Sequence, residues 1–465
     1  MQYDEIKNKV IDQFNGVISN FKECAKHEQF RIDRIKFFEL YGKVVSARGV
    51  SIIANIKDVK IGDLCLVEDE RHSLEIISEV VAIDNENITL LPFESITGLS
   101  VDCTVKKISD GFTMYVGDSL LGKVINGFGQ ITGNINDELL DAKASNNSYE
   151  CSIYAYAPDP MTRPVIDTPF YTGVKSIDGF ITCGRGQRIG IFAGPGMGKT
   201  TLMGMIIRNS EADVIVIGLI GERGREVKEF IEIELTGFDV SKCILVIATS
   251  DRPPIEQLKC AYVAQTICEH FRAKGKNVLL FVDSITRFAR AGREVGLSSG
   301  ESISRGGYPP SVFASFPKLM ERAGVDENGS ITAFYTVLME GEELNKDAIA
   351  DEVKSIIDGH IILSRKLVEQ SHFPAIDVLS SLSRVGDRLI SDSHINAMRH
   401  LRLLLSKYKE IEFLLRIGEY KKGEDDIADK AVENNQKIMK LLTQKSTVAC
   451  QFNETVAEMV SIANL

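Results

Sequence analysis

The chain has 465 residues, of which 44% are hydrophobic and 26% charged, and its formal net charge at pH 7 is −11. This length is too great for one small core, so two to four domains are expected. The proportions are those of a globular protein. The acidic balance argues against a general nucleic-acid-binding surface, which would need clustered lysines and arginines.

The nine cysteines are scattered and form no Cys-x-x-Cys pair, and the seven histidines show no metal-ligand spacing with them. This pattern indicates reduced thiols in a cytoplasmic compartment and excludes a disulfide framework and a zinc site. The N-terminus does not resemble a signal peptide, and no apolar run approaches membrane-spanning length. We therefore expect a soluble, cytoplasmic protein.

Residues 1–37 are predicted to form a helical extension, because apolar residues recur every three or four positions. Packing on the rest of the chain and docking to a partner are equally compatible with that pattern. The apolar positions are Tyr3, Ile6, Val10, Phe14, Val17 and Phe21.

Residues 38–108 contain short β-rich runs separated by turn residues, which predicts a small β-barrel. Residues 109–385 then alternate strand and helix patterns, which predicts a mostly parallel sheet with helices on both faces and ligands at the carboxyl ends of the strands. Residues 386–465 are predicted to form a helical domain. The strand candidates of the alternating region are 189–192, 214–219, 243–248, 278–282 and 331–337, and its helix candidates are 200–208, 223–235, 255–274 and 311–323.

A glycine-rich turn follows the first of these strands and opens a helix, which is the context of a phosphate-binding P-loop. The pattern begins with Ala193 where a glycine is usual, and Gly194 follows at once. Lys199 is expected to reach the β- and γ-phosphates, and the Thr200 hydroxyl is expected to bind Mg²⁺. The predicted nucleotide-binding residues are Gly194, Pro195, Gly196, Met197, Gly198, Lys199, Thr200 and Thr201.

Two further strands end in carboxylates. Asp283 closes the strand 278–282, where an aspartate holds Mg²⁺ beside a P-loop hydroxyl. Glu222 and Arg223 follow the strand 214–219. A carboxylate leaving a central strand next to the P-loop strand is suited to polarising water, and Arg223 is a candidate contact for the γ-phosphate.

Four long motifs resemble those of the type III secretion and flagellar export ATPases, which are relatives of the catalytic subunits of rotary ATP synthases. The similarity runs from about residue 40 to 440. Two other segments, Thr182-Cys-Gly-Arg-Gly-Gln-Arg and Arg290-Ala-Gly-Arg-Glu-Val-Gly, favour the injectisome members over the flagellar ones. The four motifs are Gly221-Glu-Arg-Gly-Arg-Glu-Val-Lys-Glu-Phe, Gly307-Tyr-Pro-Pro-Ser-Val-Phe, Gly329-Ser-Ile-Thr-Ala-Phe-Tyr-Thr-Val and Pro374-Ala-Ile-Asp-Val-Leu-Ser-Ser-Leu-Ser-Arg-Val.

The resemblance implies a RecA-like core and a role for each site residue. Glu222 matches the catalytic glutamate, Arg223 the arginine beside it, and Lys199 the P-loop lysine. Asp283 matches the magnesium-associated aspartate, and Arg384 matches the arginine finger that enters a neighbouring subunit's site.

The implied protein is an Mg²⁺-dependent ATP hydrolase in a homohexameric ring that energises protein secretion from the inner face of the cell membrane. The implied partners are a central stalk, a stator-like regulator, export-gate components and chaperone–effector complexes, with no nucleic acid. Two alternatives stay open: a flagellar export ATPase, and a non-catalytic nucleotide-binding ring subunit. A ring-shaped RNA translocase is disfavoured, because the chain lacks a basic tract interleaved with aromatic residues.

Overall fold

The computed structural model describes residues 40–69, 74–136, 148–339 and 347–464. The helix predicted within residues 1–37 lies outside them. The first strands close into a barrel in the order β1-β2-β5-β4-β3-β6, with alternate residues such as Ile52, Ala54 and Val67 buried inside. This confirms the predicted barrel. Its strands are β1 (Tyr41–Arg48), β2 (Ser51–Asn55), β3 (Leu64–Asp69), β4 (Leu74–Asp84), β5 (Asn87–Pro92) and β6 (Thr104–Ser109).

Short elements connect the barrel to the core. β7 pairs with β10 in a small sheet, β11 pairs with β12, and β8 and β9 extend the edge of the central sheet. These elements are β7 (Thr113–Val116), β8 (Lys123–Asn126), β9 (Ile131–Asn134), β10 (Tyr149–Ser152), β11 (Pro169–Phe170), α1 (Lys175–Phe180) and β12 (Cys183–Gly184).

The central sheet has the strand order β20-β19-β13-β18-β16-β14-β15-β8-β9, with β17 paired to β18. The pairs from β19 through to β8 are parallel, and both edge strands are antiparallel. This confirms the mostly parallel sheet. Its strands are β13 (Arg188–Ala193), β14 (Val214–Ile220), β15 (Cys243–Ala248), β16 (Asn277–Asp283), β17 (Gly324–Val325), β18 (Ser330–Leu338), β19 (Gly359–Ile362) and β20 (Leu382–Ser383), together with β8 and β9.

Both faces of this sheet are covered, because successive side chains of a strand point to opposite sides. Val216 and Leu280 belong to one buried apolar cluster, and their neighbours Ile217 and Phe281 belong to the other. The helices packed on the sheet and its loops are α2 (Lys199–Asn209), α3 (Gly224–Glu229), α4 (Pro254–Ala273), α5 (Ile285–Ser298), α6 (Pro310–Met320), α7 (Ala348–Ile356), α8 (Arg365–Glu369) and α9 (Gly386–Leu389).

The helices α5 and α7 are among the core helices that the expectations drawn from sequence do not include. The sequence of α5 includes Gly292 and Gly296, which lower its intrinsic helix propensity. Packing of α5 against α4 and β18 provides the stabilisation that its low helix propensity does not. A π-helical turn (Phe230–Glu234) continues α3, within the helix predicted over 223–235.

The C-terminal residues form α10 (Asp392–Ile417), α11 (Asp426–Leu442) and α12 (Phe452–Ala463). Their buried side chains include Leu401, Leu404 and Ile411, three of the positions whose helical spacing predicted this helical domain. Across the described part of the chain, every helix is too short or too polar to cross a membrane. The domain boundaries placed at residues 37, 108 and 385 stay predictions.

Candidate functional site

The turn between β13 and α2 has the backbone of a phosphate-binding loop. Gly196 and Gly198 have φ angles of 73° and 82°, in the left-handed region that favours glycine. A Cβ on Gly194 would lie 2.8 Å from the Met197 methyl carbon. The N-cap of α2, which begins at Lys199, is Gly198, a residue that has no side chain to cap the first turn. Its free N–H groups and positive dipole end therefore favour an anion here.

Three predicted site residues meet beside this turn. The Lys199 Nζ forms an ion pair with Asp283 and lies 3.7 Å from the Glu222 Oε1. They converge because β14 and β16 are neighbours in parallel register and end at the same edge of the sheet. The Thr336 hydroxyl donates a hydrogen bond to Asp283 at 2.5 Å. One cation thus lies between two buried carboxylates.

Burial and a neighbouring charge change the acidity of Glu222. Its removal from water, followed by the negative charge of Asp283, raises the pKa of Glu222 to about 7, although Lys199 and Arg287 oppose the shift. The carboxyl group therefore changes protonation state near neutral pH. Such tuning is typical of a group that handles a proton or a polarised water.

Arg287, in the first turn of α5, is a site residue that sequence reasoning missed. Its Nη2 donates to the Glu222 Oε2 at 3.3 Å. Gly221 has a φ of 64°, and a Cβ there would lie 2.9 Å from the Arg287 Cδ, so this glycine lets the arginine approach. The available signal was an arginine four residues after the strand-end acid Asp283.

The other predicted site residues near the P-loop differ in their exposure and in their contacts. Thr200 is exposed in the first turn of α2, next to Lys199. Thr201 instead donates its hydroxyl to the Glu234 Oε1 at 3.1 Å. The Arg223 side chain is 71% exposed and lies 3.6 Å from the Glu226 carboxylate, so the structure does not bring it to Lys199.

Arg384 lies at the opposite end of the sheet from the P-loop of its own chain. Its backbone N–H donates to the Asp358 carbonyl, and the Asp358 N–H donates to the Arg188 carbonyl, each at 2.9 Å. Arg384 is therefore level with the first residue of β13, whereas the P-loop follows its last residue, Ala193. Six strand residues span about 20 Å, well beyond the reach of an arginine side chain.

A half-open cleft of about 570 Å³ adjoins the P-loop. One wall is α2, with Leu202 and Met205, and the facing walls are residues 373–375 and 443–447. The Phe373 ring is 43% exposed in this region. An apolar cleft beside a phosphate loop suits the flat ring of a nucleotide base. Sequence reasoning did not find this cleft.

Comparison with known proteins agrees with this geometry. Residues 173–383 match the ATP synthase alpha/beta family, nucleotide-binding domain, and residues 390–461 match the T3SS EscN ATPase C-terminal domain. The first range contains the P-loop, Glu222, Asp283 and Phe373.

Individual relatives are similar over nearly their full length. The Sinorhizobium fredii type 3 secretion system ATPase is 43% identical over 95% of this chain and 95% of its own. The Bacillus subtilis flagellum-specific ATP synthase is 43% identical over 93% of this chain and 97% of its own. The solved structure of the assembled ATPase EscN in complex with its central stalk EscO, from the enteropathogenic E. coli type III secretion system, has a TM-score of 0.82 and 46% identity. The match covers 91% of this chain and 100% of the EscN chain. The motif-based resemblance is thus confirmed, and the chain belongs to the type III secretion system ATPases, ATP hydrolases of the ATP synthase alpha/beta family that are related to the flagellar export ATPases.

Proposed function

We propose that this chain is the catalytic subunit of a homohexameric, Mg²⁺-dependent ATPase that energises type III protein secretion by releasing chaperones and delivering substrates to the export channel. The observation that carries the catalytic part is the placement of Lys199 between Glu222 and Asp283 beside the P-loop turn. A non-catalytic ring subunit has no use for that arrangement, because it needs neither a water-polarising carboxylate nor its pKa shift.

In this proposal each side chain has a distinct task. Lys199, which neutralises Asp283 in the free protein, binds the β- and γ-phosphates of ATP. Glu222 accepts a hydrogen bond from the attacking water and orients it towards the γ-phosphorus, and Arg287 holds the carboxylate in place. Arg223 is exposed, and its contact with the γ-phosphate requires its side chain to leave Glu226.

The donor set fits a magnesium ion. The Thr200 hydroxyl and the Asp283 carboxylate are oxygen ligands of the kind that Mg²⁺ prefers, and Mg²⁺ usually keeps several waters besides one or two protein ligands. Two buried carboxylates facing one lysine also leave room for positive charge. The ion would supply neutralisation of the charge that develops on the phosphate oxygens.

The ring is supported by Arg384, which is too far from its own P-loop to serve it and so requires a neighbouring subunit. The segment that precedes β11 also exposes large apolar side chains: Tyr156 is 99% exposed, Met161 92% and Val165 71%. Their segment is held in place, since the Arg163 Nη2 donates to the Glu321 carbonyl at 2.6 Å. A fixed apolar surface of this kind marks an interaction site.

One further partner has support from a relative. EscN was solved with a central stalk, and we propose an equivalent stalk here. A stator-like regulator, export-gate components and chaperone–effector complexes are proposed from the motif resemblance alone. Association with the secretion apparatus places the ATPase in the cytoplasm, at the inner face of the membrane. A flagellar export role is the second candidate, because a flagellum-specific relative is also 43% identical. Pull-down from the source cell distinguishes the two by recovering needle-complex or flagellar components.

The ring predicts that specific ATPase activity rises with protein concentration. A dissociated subunit lacks the neighbour's guanidinium, so dilution should lower turnover per chain. Measuring initial rates over a hundredfold concentration range, alongside sedimentation velocity, tests this. A monomer that retains the full rate per chain contradicts the homohexamer.

The pKa shift of Glu222 predicts an acid limb in the pH profile. A raised pKa means that the protonated form prevails below about pH 7, and a protonated carboxyl polarises water poorly. kcat/KM, which reports the free enzyme, should therefore fall as the pH drops through about 7. The residual rate of Glu222→Gln should lack this limb. An acid limb near pH 4.5 in wild type would show that the site does not raise the pKa.

A further inference from the structure

The Glu234 side chain lies against three residues of α2 that are spaced one helical turn apart. Thr201 donates to the Glu234 Oε1 at 3.1 Å, and the Arg208 Nη1 donates to its Oε2 at 3.3 Å and to its carbonyl oxygen. Between them, a Cβ on Gly204 would lie only 2.3 Å from the Glu234 Oε2. A mid-helix glycine destabilises a helix relative to alanine, and here its absent side chain makes room for the carboxylate.

The same guanidinium also bonds to the far wall of the nucleotide cleft. The Arg208 Nη2 donates to the Ser446 carbonyl at 3.0 Å. Ser446 belongs to residues 443–447, which face α2 across the cleft. This wall is fixed to the Phe373 side by Gln444, whose N–H donates to the Phe373 carbonyl at 2.9 Å. On the other side of the cleft, the Arg208 hydrogen bond connects this wall to α2.

Glu234 holds the arginine in the orientation that the bridge requires. The Arg208 side chain is 20% exposed and that of Glu234 is 13% exposed, so solvent screens this pair less than it screens a surface pair. A guanidinium presents its donors in a rigid fork, so engaging Nη1 on Glu234 aims Nη2 at Ser446. A lysine at this position has one nitrogen and cannot reproduce both contacts in that geometry.

We propose that Arg208 is a positioning residue for base recognition: held by Glu234, it braces the 443–447 wall of the cleft, so that binding of the nucleotide base depends on it while binding of the phosphates does not. The proposal rests on the proposed function in one respect, namely that this cleft receives the base of ATP. Arg208 belongs to α2 and touches the wall at the Ser446 carbonyl, and it acts on the base only through that wall.

Arg208→Lys is expected to raise the Kd of ATP and of ADP about tenfold, which corresponds to the loss of one well-placed charged hydrogen bond. The affinity for tripolyphosphate, which has phosphates and no base, should change less than about twofold. KM for ATP should rise with kcat at saturation nearly unchanged, the signature of lost ground-state binding.

The experiment uses the absence of tryptophan from this chain. Phe373→Trp places a single fluorescent reporter in the cleft, in the wild-type background and in Arg208→Lys, and calorimetry measures tripolyphosphate binding. Arg225→Lys is the matched control, because Arg225 also pairs with a glutamate, Glu229 at 2.9 Å, but is 71% exposed. It should leave every affinity unchanged.

Weaker binding of ATP and ADP, with binding of tripolyphosphate unchanged, supports the proposed role of Arg208. Equal weakening of tripolyphosphate overturns it, because Arg208 would then merely stabilise α2, and so does an unchanged Kd for ATP. If the fluorescence of Phe373→Trp does not change on ATP addition although the enzyme is active, the cleft is not the base site. The proposed ATP hydrolysis is unaffected by that result. If Arg208→Lys does not fold, Glu234→Gln, which removes the charge that holds the guanidinium and leaves its contact with the backbone carbonyl, should show the same selective loss at about threefold.

Discussion

Glu222→Gln is expected to lower kcat by about 10²–10⁴-fold, the usual contribution of a positioned general base. ATP affinity should stay within about threefold of the wild-type value, because the amide keeps the shape of the side chain and its contact with Arg287. What it loses is the negative charge that polarises the attacking water. Steady-state hydrolysis together with calorimetric ATP binding measures both quantities.

Folding provides the control for this variant. Burial and Asp283 make the ionised form of Glu222 the costly one above about pH 7, so a neutral amide should leave the melting temperature at pH 8 equal or higher. Glu229→Gln, at an exposed acid at the end of the adjacent helix α3, should change neither activity nor stability. Loss of binding together with activity in Glu222→Gln would make Glu222 a structural residue.

Lys199→Ala should behave differently from Glu222→Gln. Removing the cation that faces the phosphates should abolish hydrolysis and also weaken ATP binding.

The predicted site residues that the structure brings together share one property: each closes a strand or follows its carboxyl end, Lys199 through the P-loop turn. An apolar run followed by a glycine turn or an acid has a local signature, and parallel strands bring their carboxyl ends to one edge. Lys199, Glu222 and Asp283 therefore meet, although 84 residues separate the first from the last. The expectation that the strand before Glu222 is next to the P-loop strand is wrong, because β18 and β16 lie between β13 and β14. The glycines of the P-loop are equally local, because their φ angles are a property of the turn.

Contacts between distant segments left no such signature. The cleft joins α2 to residues 373–375 and 443–447, and no periodicity links segments that far apart. Thr201 looks like a phosphate ligand in the motif, yet its hydroxyl is bonded to Glu234, which only the three-dimensional packing around Gly204 reveals. Arg223 follows Glu222 directly, but the start of α3 directs its side chain into solvent.

Arg384 shows the reverse situation, in which the structure strengthens an inference from resemblance. β20 pairs antiparallel with β19, and Ser383 lies opposite Gly359 at the amino-terminal end of that strand. Arg384 therefore leaves the sheet at the end away from its own P-loop. Any catalytic action of this guanidinium has to occur in another subunit.

Arg384→Ala is accordingly expected to lower kcat by about 10³–10⁵-fold, the usual worth of an arginine finger supplied in trans. The variant should fold, since the exposed side chain leaves the backbone contact with Asp358 intact. It should bind ATP and assemble as wild type does. Arg388→Ala, at a neighbouring exposed arginine, is the matched control and should keep its activity.

Mixing two inactive proteins separates a finger in trans from one in cis. In a head-to-tail ring, each interface combines the P-loop of one subunit with the finger of the next, so an equal mixture of Arg384→Ala and Lys199→Ala restores both groups at about a quarter of the interfaces. Activity should return to a comparable fraction of wild type. Mixing Arg384→Ala with the double variant Lys199→Ala/Arg384→Ala restores no interface and should stay inactive. Native mass spectrometry must first show hybrid rings; with hybrids present and no activity recovered, Arg384 does not act across the subunit boundary.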